Sequence, residues 1–351
     1  MWPVEGGTAS AAGTLPELDV RARKRLLVGA AGVLLALAVA SVLSIRTGQS
    51  GSVPLSSTGA GAATLWISDG FNFNALTARG GGPRSNHADM AFDPNRGALV
   101  LWDHGCAHVV LGFTGGCSET VDQTWTWDGS AWSPRSPHAE PLESGPGAMA
   151  YDARLGGVVY ANSAGQAWVW NGADWRGLAP QPPAALLREG VAAVGWHSGQ
   201  GRLIWLTVES TWSWDGAAWT RLGAGIDAAD ARQDGAGLLE DPATGQLLYV
   251  GSSSTWTFEA GAWSRHPQPA FGAGSAAAFD ARSGLVTLIA EDPQACDRAS
   301  CRSELWTWDG THWMREGAAG PSFPLSRSGE YPPPAAYDPV QRRLALFVSS
   351  A

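Results

Sequence analysis

From residue 64 onward the chain is a succession of short stretches in which apolar and polar residues alternate with a period of two, the pattern of half-buried β-strands. One phrase recurs: TWTWDGSAW at 124–132, AWVWNGADW at 167–175, TWSWDGAAW at 211–219, TWTFEAGAW at 255–263 and LWTWDGTHW at 305–313. In every copy a second Trp follows the first by seven residues, and Asp-Gly or Asn-Gly interrupts the alternation, with Glu-Ala-Gly in the fourth. Two antiparallel strands joined by a tight turn that needs positive φ account for this pattern.

A second phrase precedes each of these. It reads MAFDPNRGALVLW (90–102), MAYDARLGGVVYA (149–161), AVGWHSGQGRLIW (193–205), GLLEDPATGQLLY (237–249), AAFDARSGLVTLI (277–289) and AAYDPVQRRLALF (335–347). Each is a strand of small apolar residues, a turn around Asp or, once, His197, and a strand of larger apolar residues. The first Trp of the Trp-rich phrase stands at 125, 168, 212, 256 and 306, so a unit of two hairpins repeats about every 44 residues. That is the length of a four-stranded β-propeller blade.

Six copies of one hairpin and five of the other leave one blade without its outer half. The missing half stands at the front, in LWISDGFNF (65–73): Asp69 and Gly70 follow Trp66 at the repeat's offsets, and Phe73 falls where the second Trp belongs. The expected fold is therefore all-β, a six-bladed propeller over 64–351 whose ring closes by sewing the N-terminal hairpin to residues 335–347. The repeated Trp residues are then packing elements between blades, each burying on the order of 150–250 Å².

On the MAYD…VVY hairpins and the TWTWDGSAW hairpins, the chain resembles the bacterial kelch-type repeats of the galactose-oxidase-like propeller superfamily over nearly all of 64–351. The Gly-Gly of the kelch motif is worn to DHG (103–105), NSA (162–164) and GSS (251–253), so the resemblance is to the superfamily. It implies a scaffold that hosts either binding or catalysis. The Asp-box of sialidase-like propellers does not occur.

Ahead of the repeats, residues 26–45 (LLVGAAGVLLALAVASVLSI) carry no charge and are long enough to cross a bilayer as a helix. Arg21, Arg23, Lys24 and Arg25 precede them and only Arg46 follows closely, which predicts a cytoplasmic leader (1–25) and an extracytoplasmic remainder. The expected location is the plasma membrane, single-pass. AVA at 38–40 leaves a cleavable signal peptide as the alternative. Residues 46–63 are rich in Gly, Ser and Thr and read as a spacer.

Composition narrows the function. Net charge is −9, and Lys24 is the only lysine, so the repeat region lacks the clustered basic residues of a nucleic-acid surface. The first Trp of the next hairpin follows the turn residue by 15 or 16 positions in three units, but by 32 and 26 in the other two. The insertions are DHGCAHVVLGFTGGCSETVDQ (103–123) and EDPQACDRASCRSE (291–304), read as loops, and all four cysteines fall in them. Outside the cytoplasm they are expected to pair as Cys106–Cys117 and Cys296–Cys301. His104, His108, Asp292 and Asp297 are the candidate binding residues of this rim.

Metal chemistry is poorly supported: a site of His104, Cys106, His108 and Cys117 would rest on an H-x-C-x-H run that is not a standard zinc spacing, and an oxidising compartment favours disulfide over thiolate. The acidic residues Glu291, Asp292, Asp297 and Glu304 lack the periodicity of a calcium loop and read as a solvated surface. Tyr151, Tyr160, Tyr249 and Tyr337 sit in strands where other copies carry other apolar residues, not in a recognisable copper site. No cofactor is implied. The expected function is binding of a protein or glycan at the cell envelope; the alternative is an enzyme, galactose-oxidase-like or other, with a site assembled from rim loops.

Overall fold

The N-terminal hairpin and the C-terminal hairpin form one sheet. In the computed structural model, β1 (Thr64–Ser68) pairs with β2 (Phe73–Leu76) on one side and with β25 (Arg343–Val348) on the other, and β25 pairs with β24 (Ala335–Asp338). Trp66 lies opposite Leu346, and Ser68 opposite Phe73, the register that pairs Trp127 with Trp132 elsewhere. The residues described are 64–68, 73–76, 82–83, 87–110, 116–141, 147–231, 237–271, 275–296, 300–318, 323–324 and 333–348. The expected leader (1–25), membrane helix (26–45) and spacer (46–63) lie outside them. Among the described residues no helix is long and apolar enough to cross a membrane.

Five further antiparallel sheets follow in chain order. Blade 2 is β3 (Ala88–Asp93), β4 (Ala98–Val110), β5 (Gly116–Trp127) and β6 (Trp132–Pro134); blade 3 is β7 (Gly147–Asp152), β8 (Gly157–Asn162), β9 (Ala167–Trp170) and β10 (Trp175–Gly177). After the short helix α1 (Ala184–Glu189) comes blade 4, with β11 (Val191–His197), β12 (Arg202–Thr207), β13 (Ser210–Trp214) and β14 (Trp219–Ala224). Blade 5 is β15 (Leu239–Asp241), β16 (Gln246–Val250), β17 (Ser254–Glu259) and β18 (Ala262–Pro267). Blade 6 is β19 (Ala276–Asp280), β20 (Leu285–Cys296), β21 (Ser300–Trp308) and β22 (Trp313–Ala318), with β23 (Phe323–Pro324) added beside β21. The closure sheet is blade 1. First strands touch in cyclic order, β24 to β3, β7, β11, β15, β19 and back to β24, so they surround the axis of a closed six-bladed ring.

The second strand of each blade is buried on both faces, which is why it reads as an unbroken apolar run. In β4, Leu99 and Leu101 pack against Leu65, Ile67 and Phe347 of blade 1. Val100 and Trp102 point the other way, against Val158, Tyr160 and Trp175 of blade 3. A one-residue slip would exchange the two neighbours of every blade, so register and blade order are specified together.

Tryptophan indoles tie blades 3, 4, 5 and 6 each to the one before it. Trp175, Trp263 and Trp313 donate Nε1–H to the hydroxyls of Thr124, Thr211 and Thr255, at 2.8, 2.7 and 2.7 Å. The acceptor is always the residue before the first Trp of the preceding blade. Blade 3 has Ala167 there, and Trp219 of blade 4 donates to the Pro180 carbonyl instead, at 2.9 Å. Within each of these blades the second Trp also meets the aromatic ring opposite it, with centroids 5.0–5.5 Å apart from Trp127–Trp132 to Trp308–Trp313.

The turn aspartates of the first hairpins are buried, and their Oδ1 atoms accept the N–H two residues on: Asn95, Arg154, Ala243, Arg282 and Val340, at 2.8–3.0 Å. Arg96 and Arg154 then bridge their own Asp to carbonyls of the following blade, Arg154 reaching the Trp214 oxygen at 2.9 Å.

The Asp-Gly hairpins make their tight turn with four residues. Trp127 pairs with Trp132, leaving Asp128 to Ala131 as a four-residue loop in which only Gly129 (φ 97°) has positive φ. Asp128 contributes its side chain, accepting the N–H groups of Ser130 and Ala131 at 2.8 and 2.9 Å. The two-residue turn belongs to the divergent fourth copy, where Glu259 pairs with Ala262 and both Ala260 (φ 50°) and Gly261 (φ 89°) are positive.

Candidate functional site

Turns within the hairpins all open on one rim of the ring, and the connections between hairpins on the other. On this second rim the insertions expected as loops are strands. β4 and β5 stay paired from Leu99–Trp127 out to Val110–Gly116, a ribbon that runs on well past the pairing of β3 with β4, which ends at Ala88–Asp103. β20 and β21 stay paired from Val286–Trp308 out to Cys296–Cys301, beyond the Ala276–Ile289 limit of β19. Irregular register between Cys106 and Val109, and between Glu291 and Cys296, broke the period-two signal in the sequence. Both ribbons rise from the same rim, on the two blades that flank blade 1.

The blade 2 ribbon stands on a buried polar centre. His104, the first residue past the blade, is 4% exposed, so it underlies the rim and does not face solvent as a binding residue would. Its Nε2 lies 2.8 Å from Asp89 Oδ2 on β3. Its ring stacks on Trp102 (6.3 Å, 17°) and meets Tyr160 of blade 3 (5.7 Å) and His87 (6.0 Å). Tyr160 in turn stacks on Trp168 (6.0 Å, 26°) and leaves no room for a Cβ at Gly147.

Electrostatics separate the two histidines. Burial opposes a charge on His104, but the Asp89 hydrogen bond and the carboxylates of Asp89, Asp103 and Asp122 outweigh it and hold the imidazole above its usual value. Burial, reinforced by the neighbouring His104, pushes His87 down to about 4. Burial also raises the Tyr160 hydroxyl far above the ordinary phenol. Beside the ribbon, burial and then the charge of Asp122 raise Glu140. From Ala98 to Trp127 the sequence has no Lys or Arg, while Asp103, Glu119 and Asp122 make the ribbon acidic.

The blade 6 ribbon is held differently. Glu291 and Glu304 at its foot are buried, not solvated as expected, and Glu304 pairs with Arg315. Asp292 is half-buried and its Oδ1 accepts the Gln294 N–H at 2.9 Å. β23 adds Phe323 and Pro324 alongside Cys301 and Ser300. Cys301 is 2% exposed and disulfide-bonded, and Cys296 stands directly opposite it across the hairpin. Asp297 lies outside the described residues. Cys106 is opposite Thr120, Cys117 opposite Val109 and His108 opposite Glu119, all in the outer part of the blade 2 ribbon.

Among the described residues no group of three or more His, Cys, Asp or Glu is arranged to hold a metal ion. Asp89 escaped the reading of the sequence, although a signal was there. It is an acid four residues before the turn Asp, where the other five copies have Ala148, Ala193, Gly237, Ala276 and Pro334.

No family model matches the chain, and no curated protein matches it. Among solved structures, a protein of unknown function from Bacteroides thetaiotaomicron superposes with TM-score 0.51 at 9% identity, over 83% of this chain and 76% of that one. A putative TolB from Agrobacterium tumefaciens gives 0.47 at 14% identity over 84% and 100%. The SapL1 lectin, solved with alpha methyl fucoside, gives 0.46 at 14% over 73% and 86%. At such identities the likeness concerns the fold alone.

Proposed function

We propose that this chain is a kelch-type propeller anchored in the plasma membrane by residues 26–45, with its ring outside the cytoplasm, and that it binds a protein or glycan of the envelope between its two ribbons. The observation that carries the binding reading is the pairing of β4 with β5 and of β20 with β21 beyond the ring, on one rim and on the two blades beside the closure. A rigid ring that extends only two of its hairpins, and both on the same face, has the form of a scaffold presenting a recognition surface. Disulfides Cys106–Cys117 and Cys296–Cys301 would keep the ribbons ordered before a ligand arrives, which lowers the entropy lost on binding.

The test is to shorten both ribbons to the two-residue connection of blade 4, Val208–Glu209, and to screen parent and variant against glycans and envelope proteins. The parent should capture a ligand that the shortened ring, melting as before, does not. Equal capture by the two would refute the ribbons as the site. A reporter fused after Ala351 should be active outside the cytoplasm; activity inside would refute the topology.

A further inference from the structure

Two ribbons are fastened to the ring by different chemistry. In blade 6 the foot is held by Glu304 with Arg315 and the tip by β23 and the Cys301 disulfide. An arginine guanidinium is charged at every physiological pH. In blade 2 the foot is held by a histidine, whose charge is not permanent.

The groups around that histidine come from every element packed on it. Asp89 is on β3 and His87 just before it, Asp103 is the neighbour of His104 on β4, Asp122 lies directly opposite His104 on β5, and Tyr160 comes from β8 of the next blade. The site is closed: the side chain of His104 is 3% exposed and that of Asp89 10%. The Asp89 carboxylate therefore meets the imidazole where water is scarce, and the charges of Asp103 and Asp122 act on it without touching it. With the imidazolium present, the Asp89 charge is paired at hydrogen-bond distance. Without it, the Asp89 carboxylate is left in a closed site with no charged partner, and an unpaired buried charge is strongly unfavourable.

We propose that His104 and Asp89 form a proton-operated latch that holds the foot of the blade 2 ribbon on the ring and releases it as the medium becomes alkaline. Release is local because the pair at risk, His104 with Asp122, is the first pair beyond the ring. The remaining strands of blade 2 are fixed by the apolar contacts of Leu99, Val100, Leu101 and Trp102. The sign follows from the elevated His104 value. Its contribution is complete below the ordinary imidazole value and disappears as pH rises through the folded one, so the ribbon opens on the alkaline side. A ligand seated between the ribbons would find its site ordered in mildly acidic medium and loosened in alkaline medium. The latch itself needs no ligand, and its failure would leave the binding reading standing.

Hydrogen exchange of the full chain in detergent tests it, from about pH 5.5 to about pH 9, after correction for the intrinsic rate. Protection of 104–110 and 116–123 should fall by up to about tenfold per pH unit above the His104 midpoint, while the uninserted hairpin 202–214 keeps its protection. His104→Gln should remove that slope. A flat profile in the parent, or an unchanged slope in the variant, would overturn the latch. If His104→Gln also exposes 202–214, Asp89→Asn decides: it keeps an acceptor but removes the charge, so the midpoint must move to lower pH. A midpoint that stays in place refutes the proposal.

Discussion

Glu240 of blade 5 accepts two hydrogen bonds from Ser198 of blade 4, from its N–H at 2.8 Å and its hydroxyl at 2.7 Å. Both positions break the repeat. His197 stands where the other five blades have a turn Asp, and Glu240 stands where they have Phe92, Tyr151, Trp196, Phe279 and Tyr337. The carboxylate that caps the turn has moved from the turn itself to the next blade. Its proximity to His197, with Nδ1 3.7 Å from Glu240 Oε1, completes the exchange.

The two departures should therefore be coupled. Glu240→Phe alone strips the exposed Ser198 donors of their acceptor and should destabilise the ring by about 0.5–1.5 kcal/mol. His197→Asp alone sets a second carboxylate against Glu240. The double variant restores the arrangement of the other blades, and a double-mutant cycle in denaturant should show favourable coupling of about 1 kcal/mol or more. Strict additivity would show that the exchange is incidental.

Trp313 and Thr255 test the indole ties. Thr255→Val keeps the shape of a fully buried side chain but removes the acceptor of the Trp313 N–H. The urea midpoint should fall, by about 1–3 kcal/mol at an unchanged m-value, and Thr255→Ser should recover most of it. Equal stability of the valine variant would reduce these bonds to accompaniments of ring stacking.

Closure makes the first hairpin indispensable. Leu65 and Ile67 are packed with Leu99 and Trp127 of blade 2, while Trp66 faces Ala276 and Ala278 of blade 6. Deleting 64–76 removes two of four strands and opens the ring, so the melting temperature should drop sharply. Deleting 46–62 should leave it unchanged. Similar melting of both truncations would contradict the closure.

His87 sets an acid limit. Its folded value of about 4 lies below the ordinary imidazole, so stability is complete above that ordinary value and declines as pH falls towards 4. His87→Asn should flatten this acid limb in pH-dependent melting without altering the alkaline behaviour of the ribbon. Retention of the limb would assign it to other groups.

Thiol counting addresses the ribbon tips. Denatured, unreduced protein should show no free thiol, and Cys296→Ser with Cys301→Ser should loosen the blade 6 tip by on the order of 2 kcal/mol. Because the closed loop is so short, the ring should melt as before. Four free thiols in mass spectrometry would exclude both bridges.

Strand periods, the 44-residue repeat and the missing half-blade were legible in the sequence because each is a local pattern, and closure followed from counting hairpins. The offsets of Trp66 and Phe73 were enough to assign β1 and β2 to the blade of the C-terminal hairpin. The ribbons were not legible. Extra residues near Ala107 and Pro293 shift the alternation, so a paired strand reads as a loop until its partner is known. Nor was the identity of the ties between blades. Thr255 is one polar residue among many until the ring sets the Trp313 indole against it, 58 positions away. His104 shows the limit most plainly. The sequence placed it on a binding rim, and the fold buried it on Asp89, because a side chain's surroundings in a propeller are set by the strands and blade beside it and not by its neighbours along the chain.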